Sequence, residues 1–397
     1  MQPHRVGLSR RQFMRGATVL GAGAASAGLL GACSPGQEQE AAPGGNGEEG
    51  LQPPPGAQTG HIETSPDDRH AVHINQAFQA LLYLPLYIAN DVGFFDEEGI
   101  DLQVTTAGGG TQSWSAVVGG SADYSIHDPI FPSISAERGQ ADGVVVGTIC
   151  NGQAILAVTN DQELEVTTDT EEFMVDRVEG RRVATQPEPD SQWVLMRYLG
   201  ELYGVEMNDA FENMQVTIGT EIGPVLQDQA DIALAFPPMA DIGLAQGLHE
   251  LFDFSHFFGP FALSGLCTRR SYIDDNPVAH QGVMNALEKA CQYAYAFPES
   301  AIEIAQHEFP DEDPEVIASA AERCLARMFV PTHAFVDTEA WRQSQNLNLF
   351  AGNIEEFHTI DDAVNNDAAL RAYRSIGLAK LTLWQDGPRE IADRVAT

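Results

Sequence analysis

The chain has 397 residues, 43% of them hydrophobic, and 57 acidic side chains against 21 basic ones, for a net charge of −36 at pH 7. That length exceeds one ordinary core and implies two packed lobes of roughly 100–200 residues each. So acidic a surface repels phosphate backbones, which excludes nucleic acid as a partner.

The first elements in chain order belong to an export signal. Ser9-Arg10-Arg11-Gln12-Phe13 opens it, and a Gly/Ala-rich apolar run follows to Ala32. Arg10 and Arg11 resemble a twin-arginine signal, and the run is too short and too rich in glycine for a membrane-spanning helix. Leu30-Gly31-Ala32-Cys33 resembles a lipobox, which makes Cys33 the expected lipid attachment point and the first mature residue. A Gly-, Pro-, Gln- and Glu-rich stretch over residues 33–70 has almost nothing to bury and is expected to be a disordered acidic tether. Removing residues 1–32 takes four arginines and no acid, leaving a charge of −40. Lysine occurs only as Lys289 and Lys380, and this depletion resembles proteins of extreme halophiles, where molar salt shortens the Debye length to about 3 Å. A generally acidic, solvated surface is the plainer alternative.

From residue 71 onward, short apolar runs alternate with amphipathic stretches, the pattern of α/β layers. Strands are predicted over 72–78, 102–106, 123–126 and 144–150, with helices over 85–96 and 111–119. A second series follows: strand 182–185, helix 191–203, strand 214–218, helix 223–229, strand 231–236, then a helix and a strand running to Phe254. Strand 261–268 is read as a return to the first lobe, and helices are predicted over 276–297, 299–308, 314–327 and 338–351. The domain plan is a signal (1–32), a tether (33–70), a first lobe (71–160), a second lobe (161–256) and a return with C-terminal helices (257–397).

Four stretches carry a family resemblance. A Pro85-Leu86-Tyr87 helix leads to Gly93-Phe94-Phe95-Asp96-Glu97-Glu98-Gly99-Ile100, and Gly108-Gly109-Gly110-Thr111 opens the next helix. Val118-Gly119-Gly120-Ser121-Ala122-Asp123-Tyr124 leads into a strand, and Val225-Leu226-Gln227-Asp228-Gln229-Ala230-Asp231-Ile232-Ala233 is its equivalent in the second series. Over roughly residues 71–355 the chain resembles type II periplasmic binding proteins of ABC importers for nitrate, sulfonates, taurine and thiamine precursors. The resemblance implies an α/β, two-lobed fold joined by two crossover strands, with a ligand cleft between the lobes and C-terminal helices. It also implies a monomer that carries a small-molecule solute to a membrane permease and its ATPase, closure signalling that the solute is bound. The chain departs from the family in Pro237-Pro238, which bears on one wall of the pocket, and in Arg181-Arg182.

No catalytic arrangement is visible, and no cofactor or metal is expected. The nucleophile-elbow, HExxH, EF-hand and phosphate-loop motifs are all absent. Cys150, Cys267, Cys291 and Cys324 have no metal-ligand spacing, and sequence leaves open whether they are thiols or disulfides. A pyrimidine synthase of related fold holds pyridoxal phosphate on a lysine, whereas both lysines here lie far in sequence from the pocket loops.

Open α/β sheets bind ligands at the carboxyl ends of their strands. In the first lobe this selects Gln79, Tyr83, Gly110, Thr111, His127 and Asp128, and in the second Asp190, Ser191, Gln192, Trp193 and Phe236. Gly108–Gly110 with the Thr111 hydroxyl either presents N–H groups to a ligand or makes a glycine turn for backbone reasons. His127-Asp128 either touches ligand or caps the next helix. Trp193 is either a stacking lid or core, Trp114 is assigned to packing, and Glu221 to the surface. These candidates include no arginine or lysine, which disfavours a multiply charged anion. A neutral or cationic heteroaromatic such as a thiamine pyrimidine precursor is favoured, with an alkylsulfonate, taurine or nitrate-like anion as the alternative.

Overall fold

The computed structural model describes residues 62–257 and 259–379, so the signal residues Arg10 and Arg11 and the lipobox residue Cys33 lie outside the described residues. Ten strands make two sheets: β1 (His70–Gln76), β2 (Ile100–Thr106), β3 (Tyr124–His127), β4 (Gly143–Asn151), β5 (Leu156–Thr159), β6 (Arg182–Thr185), β7 (Glu212–Gln215), β8 (Ile232–Ala235), β9 (His249–Asp253) and β10 (Ala262–Arg269). The first sheet runs β2-β1-β3-β10-β4 and the second β7-β6-β8-β5-β9. Strands β1, β2 and β3 are parallel, as are β6, β7 and β8. The antiparallel strand of each sheet, β10 or β5, is the one that has just crossed over from the other. The first crossing falls between Asn151 and Leu156, ahead of the expected boundary at 160, because the four-residue run of β5, too short to show a period, belongs to the second sheet.

Both sheets are built around the same device. Asp123, just before β3, accepts from the backbone N–H of His73 at 2.9 Å, while its own N–H donates to the His73 carbonyl at 2.9 Å. Asp231, just before β8, makes the same reciprocal pair with Arg182 at 2.7 and 2.9 Å. A carboxylate that locks a neighbouring strand's register explains why the Ala-Asp dipeptide recurs before both central strands. Those strands are buried at every position, as two-sided cover by helices requires.

The segment predicted as one helix over 85–96 is two, Leu84–Asp91 and Phe94–Glu97, because Gly93 takes a left-handed φ of 87° between them. At Gly99, φ is 75° and a Cβ would stand 2.2 Å from the Ser65 carbonyl oxygen, so only glycine fits. Phe94 and Phe95 are buried, and Glu98 pairs with Lys289 at 2.6 Å and accepts from Asn285 at 2.7 Å. This stretch therefore turns and anchors the chain.

Helices Ser191–Tyr203 and Thr338–Ala351 keep their predicted bounds, each closed by a left-handed glycine, Gly204 or Gly352. Helices Phe131–Glu137 and Asp367–Ala379 were not anticipated from the sequence. The C-terminal helices lean on the second lobe: Arg323 pairs with Asp241 at 2.6 Å, and Phe350 meets Tyr198 edge-on at 4.8 Å. Cys150, Cys267, Cys291 and Cys324 are free, buried thiols. Among the described residues, no helix is long and apolar enough to cross a membrane.

Candidate functional site

The two sheets present the carboxyl ends of their parallel strands to one cleft. β1 runs into Ala77 and Phe78, and β3 ends in His127 and leads to Asp128. On the opposite lobe β6 leads to Gln186, Asp190 and Ser191, and β8 to Phe236. With Tyr83, Gly110 and the crossover residues Leu263 and Ser264, these side chains line one small cavity of about 20 Å³. A neighbouring cavity, also about 20 Å³, is lined by Phe78, Gln79, Ala80, Glu221 and Phe236 among others. The Phe78 and Phe236 rings, one from each lobe, stack at 6.0 Å and 19° between the two cavities. The lobes also touch through the Leu81 N–H, which donates to the Pro237 carbonyl at 3.2 Å. Each cavity has room for about one water or one ammonium-sized group, so a ring-sized ligand has to part the lobes.

Two buried carboxyl groups, Asp128 and Asp190, line the first cavity, and a third, Glu221, lines the second. Burial, and then the charge of Asp190, raise Asp128 to about 8. Burial raises Asp190 to about 7, and burial together with the charge of Asp190 does the same for Glu221. No arginine or lysine lines either cavity to oppose these shifts. Asp190 occupies the N-cap of the Ser191–Tyr203 helix but makes no capping bond with its side chain. Glu221, assigned to the surface from sequence, is only 2% exposed: the turn before the Ile222–Leu226 helix folds it inward.

Of the predicted residues, Tyr83, Gly110, His127, Asp128, Asp190, Ser191 and Phe236 are brought together in the first cavity. His127 contributes a ring face only. Its Nε2 lies 2.8 Å from Ser125 Oγ and its Nδ1 2.8 Å from the Asp128 carbonyl, and burial lowers its pKa to about 4. Asp128 lines the cavity, and one of its carboxylate oxygens accepts from the Ile130 N–H at 3.2 Å in the turn before the Phe131–Glu137 helix, whose N-cap is Ile130 rather than Asp128.

Four residues sit elsewhere, the first being Gln192, fully buried with its Oε1 accepting from the Gln186 N–H at 2.9 Å. Gln79 is exposed at the second cavity, held by the Glu308 carbonyl at 2.7 Å. Thr111 is exposed and lines a larger cavity of about 250 Å³ with Trp114, Arg138, Glu188 and Asn353, since one step along the helix from Gly110 turns it away. Trp193 lines none of these cavities. Two positions past Ser191 on its helix, it carries the Arg197 guanidinium 5.4 Å from its ring centre and is almost buried. Trp114 packs in the core of the first lobe with Val117, Phe131 and Ile134. Gly110 is glycine for want of room: a Cβ would lie 2.6 Å from Phe131 and 3.0 Å from Asp190 Oδ1 across the cleft.

A family model described as NMT1/THI5 like matches residues 82–301, more than half of the chain. The chain belongs to the NMT1/THI5-like family. "Putative binding protein YtlA" of Bacillus subtilis is 23% identical over 308 residues, 75% of this chain and 88% of that protein. Among solved structures, the aliphatic sulphonate binding protein SsuA of Escherichia coli has a TM-score of 0.59 at 20% identity, covering 75% of this chain and 92% of its own. The nitrate-binding protein NrtA of Synechocystis has a TM-score of 0.62 at 17% identity, with coverages of 81% and 93%. The desulfurization enzyme DSZB shares the fold too, with a TM-score of 0.57 at 12% identity and coverages of 77% and 99%.

This NMT1/THI5-like chain also puts Ala77, Phe78, Gln186, Glu221, Leu263 and Ser264 at the cleft, none of them picked from sequence. Gln186 directly follows β6, so the strand-end rule was sufficient to find it, whereas the strand predicted over 72–78 runs through Phe78 and hides it. Leu263 and Ser264 lie inside a crossover strand, where that rule does not look, and nothing in the sequence distinguishes Glu221 from a surface acid.

Proposed function

We propose that the protein is the extracytoplasmic solute-binding component of an ABC importer, exported through Arg10 and Arg11, tethered by lipid on Cys33, and delivering its solute to a permease and ATPase. The observation that carries this reading is the cavity whose wall is shared between two lobes joined by crossover strands. A binding protein needs that geometry, because a ligand touching both walls stabilises the closed form. A binding role rather than catalysis is supported by the cavity lining: both nitrogens of its histidine are engaged locally, and it includes no lysine or cysteine. Acidity and lysine scarcity support a protein adapted to high salt.

The ring faces of Phe78, Tyr83 and Phe236, with carboxyl groups and no arginine or lysine, favour a nitrogen-containing heteroaromatic solute such as a thiamine pyrimidine precursor. The anion alternative keeps one supporting feature, Arg138 at the larger cavity beside Thr111. Mass spectrometry of the molecule released on denaturing gently purified protein, followed by calorimetric titration of that molecule, tests the proposal. A stoichiometric small solute with micromolar or tighter affinity is expected. Purified protein that neither carries nor binds any small molecule, in any salt, would refute it.

A further inference from the structure

Resting on the solute-binding reading, we infer that the group recognised in the cleft is an organic cation, an ammonium or amidinium-like head held between Asp128 and Asp190, with the Glu221 carboxyl close by in the neighbouring cavity. Asp128 and Asp190 are each 9% exposed and Glu221 only 2%. Buried carboxylates are normally paired with a cation or saturated with donors. Asp190 has neither: it forgoes the capping bond its position offers, and among the described residues no side chain donates to it. Asp128 spends one oxygen on the Ile130 N–H and leaves the other to the cavity.

The site draws on both lobes, Asp128 from the first and Asp190 from the second, so a cation between them bridges the cleft, and Glu221 adds its charge from the neighbouring cavity on the second lobe. The site's aromatic walls suit the same occupant: Phe78 and Phe236 line both cavities, and ring faces attract positive charge. An independent mark of a ligand is Gln186, which lines the cavity, is 2% exposed and leaves its Nε2 without a partner. An unmatched donor beside unmatched acceptors fits a ligand that carries a hydrogen-bond acceptor next to its charged N–H groups. The cavity volume of about 20 Å³ fits the charged head alone, with the body of the ligand entering as the lobes part.

Charge is separated from shape by three probes with one ring: benzamidine (cation), benzamide (neutral) and benzenesulfonate (anion). Titrated calorimetrically against the mature chain in molar KCl near pH 8, benzamidine should bind at least about tenfold tighter than benzamide, and benzenesulfonate should not bind. Asp190→Asn and Glu221→Gln should each weaken benzamidine at least about tenfold and leave the melting temperature at or above that of the parent, since each removes a buried charge. Equal or tighter binding of benzamide or benzenesulfonate would overturn the cation and leave the solute-binding reading standing, as would unchanged benzamidine affinity in Asp190→Asn. If no probe binds, the molecule carried through purification decides: a cation supports the inference, a neutral or anionic one overturns it. Should nothing be carried and nothing bind, the solute-binding reading falls with it.

Discussion

The two lobes repeat one scaffold and diverge at one surface. Strand order, the parallel trio and the aspartate that locks a neighbouring strand are the same in each: Asp123 on His73 in the first lobe, Asp231 on Arg182 in the second. Apart from a proline after each central strand, the residues that follow equivalent strands share nothing. After β3 come Asp128 and Pro129, after β8 Phe236 and Pro237; after β1 come Ala77 and Phe78, after β6 Gln186 and Pro187. Backbone pairing tolerates few solutions, so it recurs, while cleft side chains answer only to the ligand. Moving inward from the locks to the cleft should therefore shift the effect of mutation from stability to affinity.

The largest expected effect is on how the cleft responds to pH. Folded-state values of about 7 for Asp190 and Glu221 and about 8 for Asp128 lie above the ordinary carboxyl range near 4. The folded, empty cleft thus binds more protons than the unfolded chain, so this contribution to stability is complete below about pH 4 and is lost as pH rises through 7 to 8. Cation affinity should run the other way, because binding expels those protons: about tenfold per pH unit for each proton displaced, and on the order of 100-fold between pH 6 and 8. The other titratable neighbours are silent there. Burial holds His127 near 4 and pushes Cys267, beside Asp128, and Tyr83 upward. Calorimetry across that range checks the slope, and affinity that falls with rising pH would point to an anion.

Gly110 comes next, where the lobes approach most closely. Gly110→Ala should weaken the carried solute by about 2 kcal/mol, because the new methyl group meets Phe131 and Asp190 before the cleft closes. Gly108→Ala is no neutral control, since Gly108 has a φ of 91°. Gly223→Ala is a better one: it sits in a second-lobe helix, where an added Cβ meets nothing within 4 Å. Equal affinity in Gly110→Ala and Gly223→Ala would mean that closure does not bring Asp190 onto Gly110.

The locks test the repeated half of the comparison. Asp123→Ala and Asp231→Ala should each cost about 1–2 kcal/mol of stability in chemical denaturation and leave solute affinity nearly unchanged. The Asp231 carboxylate is also tied to the Arg182 guanidinium, which with its backbone bond holds its pKa below the ordinary value. Its contribution is therefore present above about pH 4 and lost as pH falls through the lowered value, the reverse of the cleft carboxyls. With its side chains 38% and 33% exposed, that ion pair is screened by solvent, which keeps the extra gain over Asp123 small.

These contrasts account for what the sequence disclosed. Apolar runs and the Ala-Asp dipeptides report on sheet pairing, which is local, so the strand series and the long helices were legible from them. β5 was missed because four apolar residues show no period, and the helix over 85–96 was drawn through Gly93 because a left-handed glycine is invisible to periodicity. In the cleft, the strand-end rule reached seven lining residues but could not sense rotation about a helix. Gly110 and Thr111 are adjacent in sequence and face different cavities. Glu221 reads as an ordinary surface acid until the fold buries it within reach of the charge of Asp190.

Trp193 offers the smallest expected effect on binding and the clearest check on that lesson. Sequence allowed a stacking lid, because the residue opens a helix at a strand's carboxyl end. Helical geometry places successive side chains about 100° apart, so with Asp190 and Ser191 lining the cavity, the ring two positions on from Ser191 faces elsewhere. It carries the Arg197 guanidinium 5.4 Å from its centre, and Arg197 reaches on to Glu201 at 3.6 Å. Trp193→Ala should thus change solute affinity by less than about 0.5 kcal/mol while lowering stability by about 2–3 kcal/mol through lost burial and a lost cation–π contact. Phe236→Ala, its counterpart on the other strand end of the same lobe, should do the opposite and weaken a cationic solute by about 1–2 kcal/mol. Titrating both variants at one pH and salt compares them directly. An affinity loss in Trp193→Ala as large as in Phe236→Ala would return the tryptophan to the cleft wall, and the cleft would then have to extend past Ser191 along the second-lobe helix.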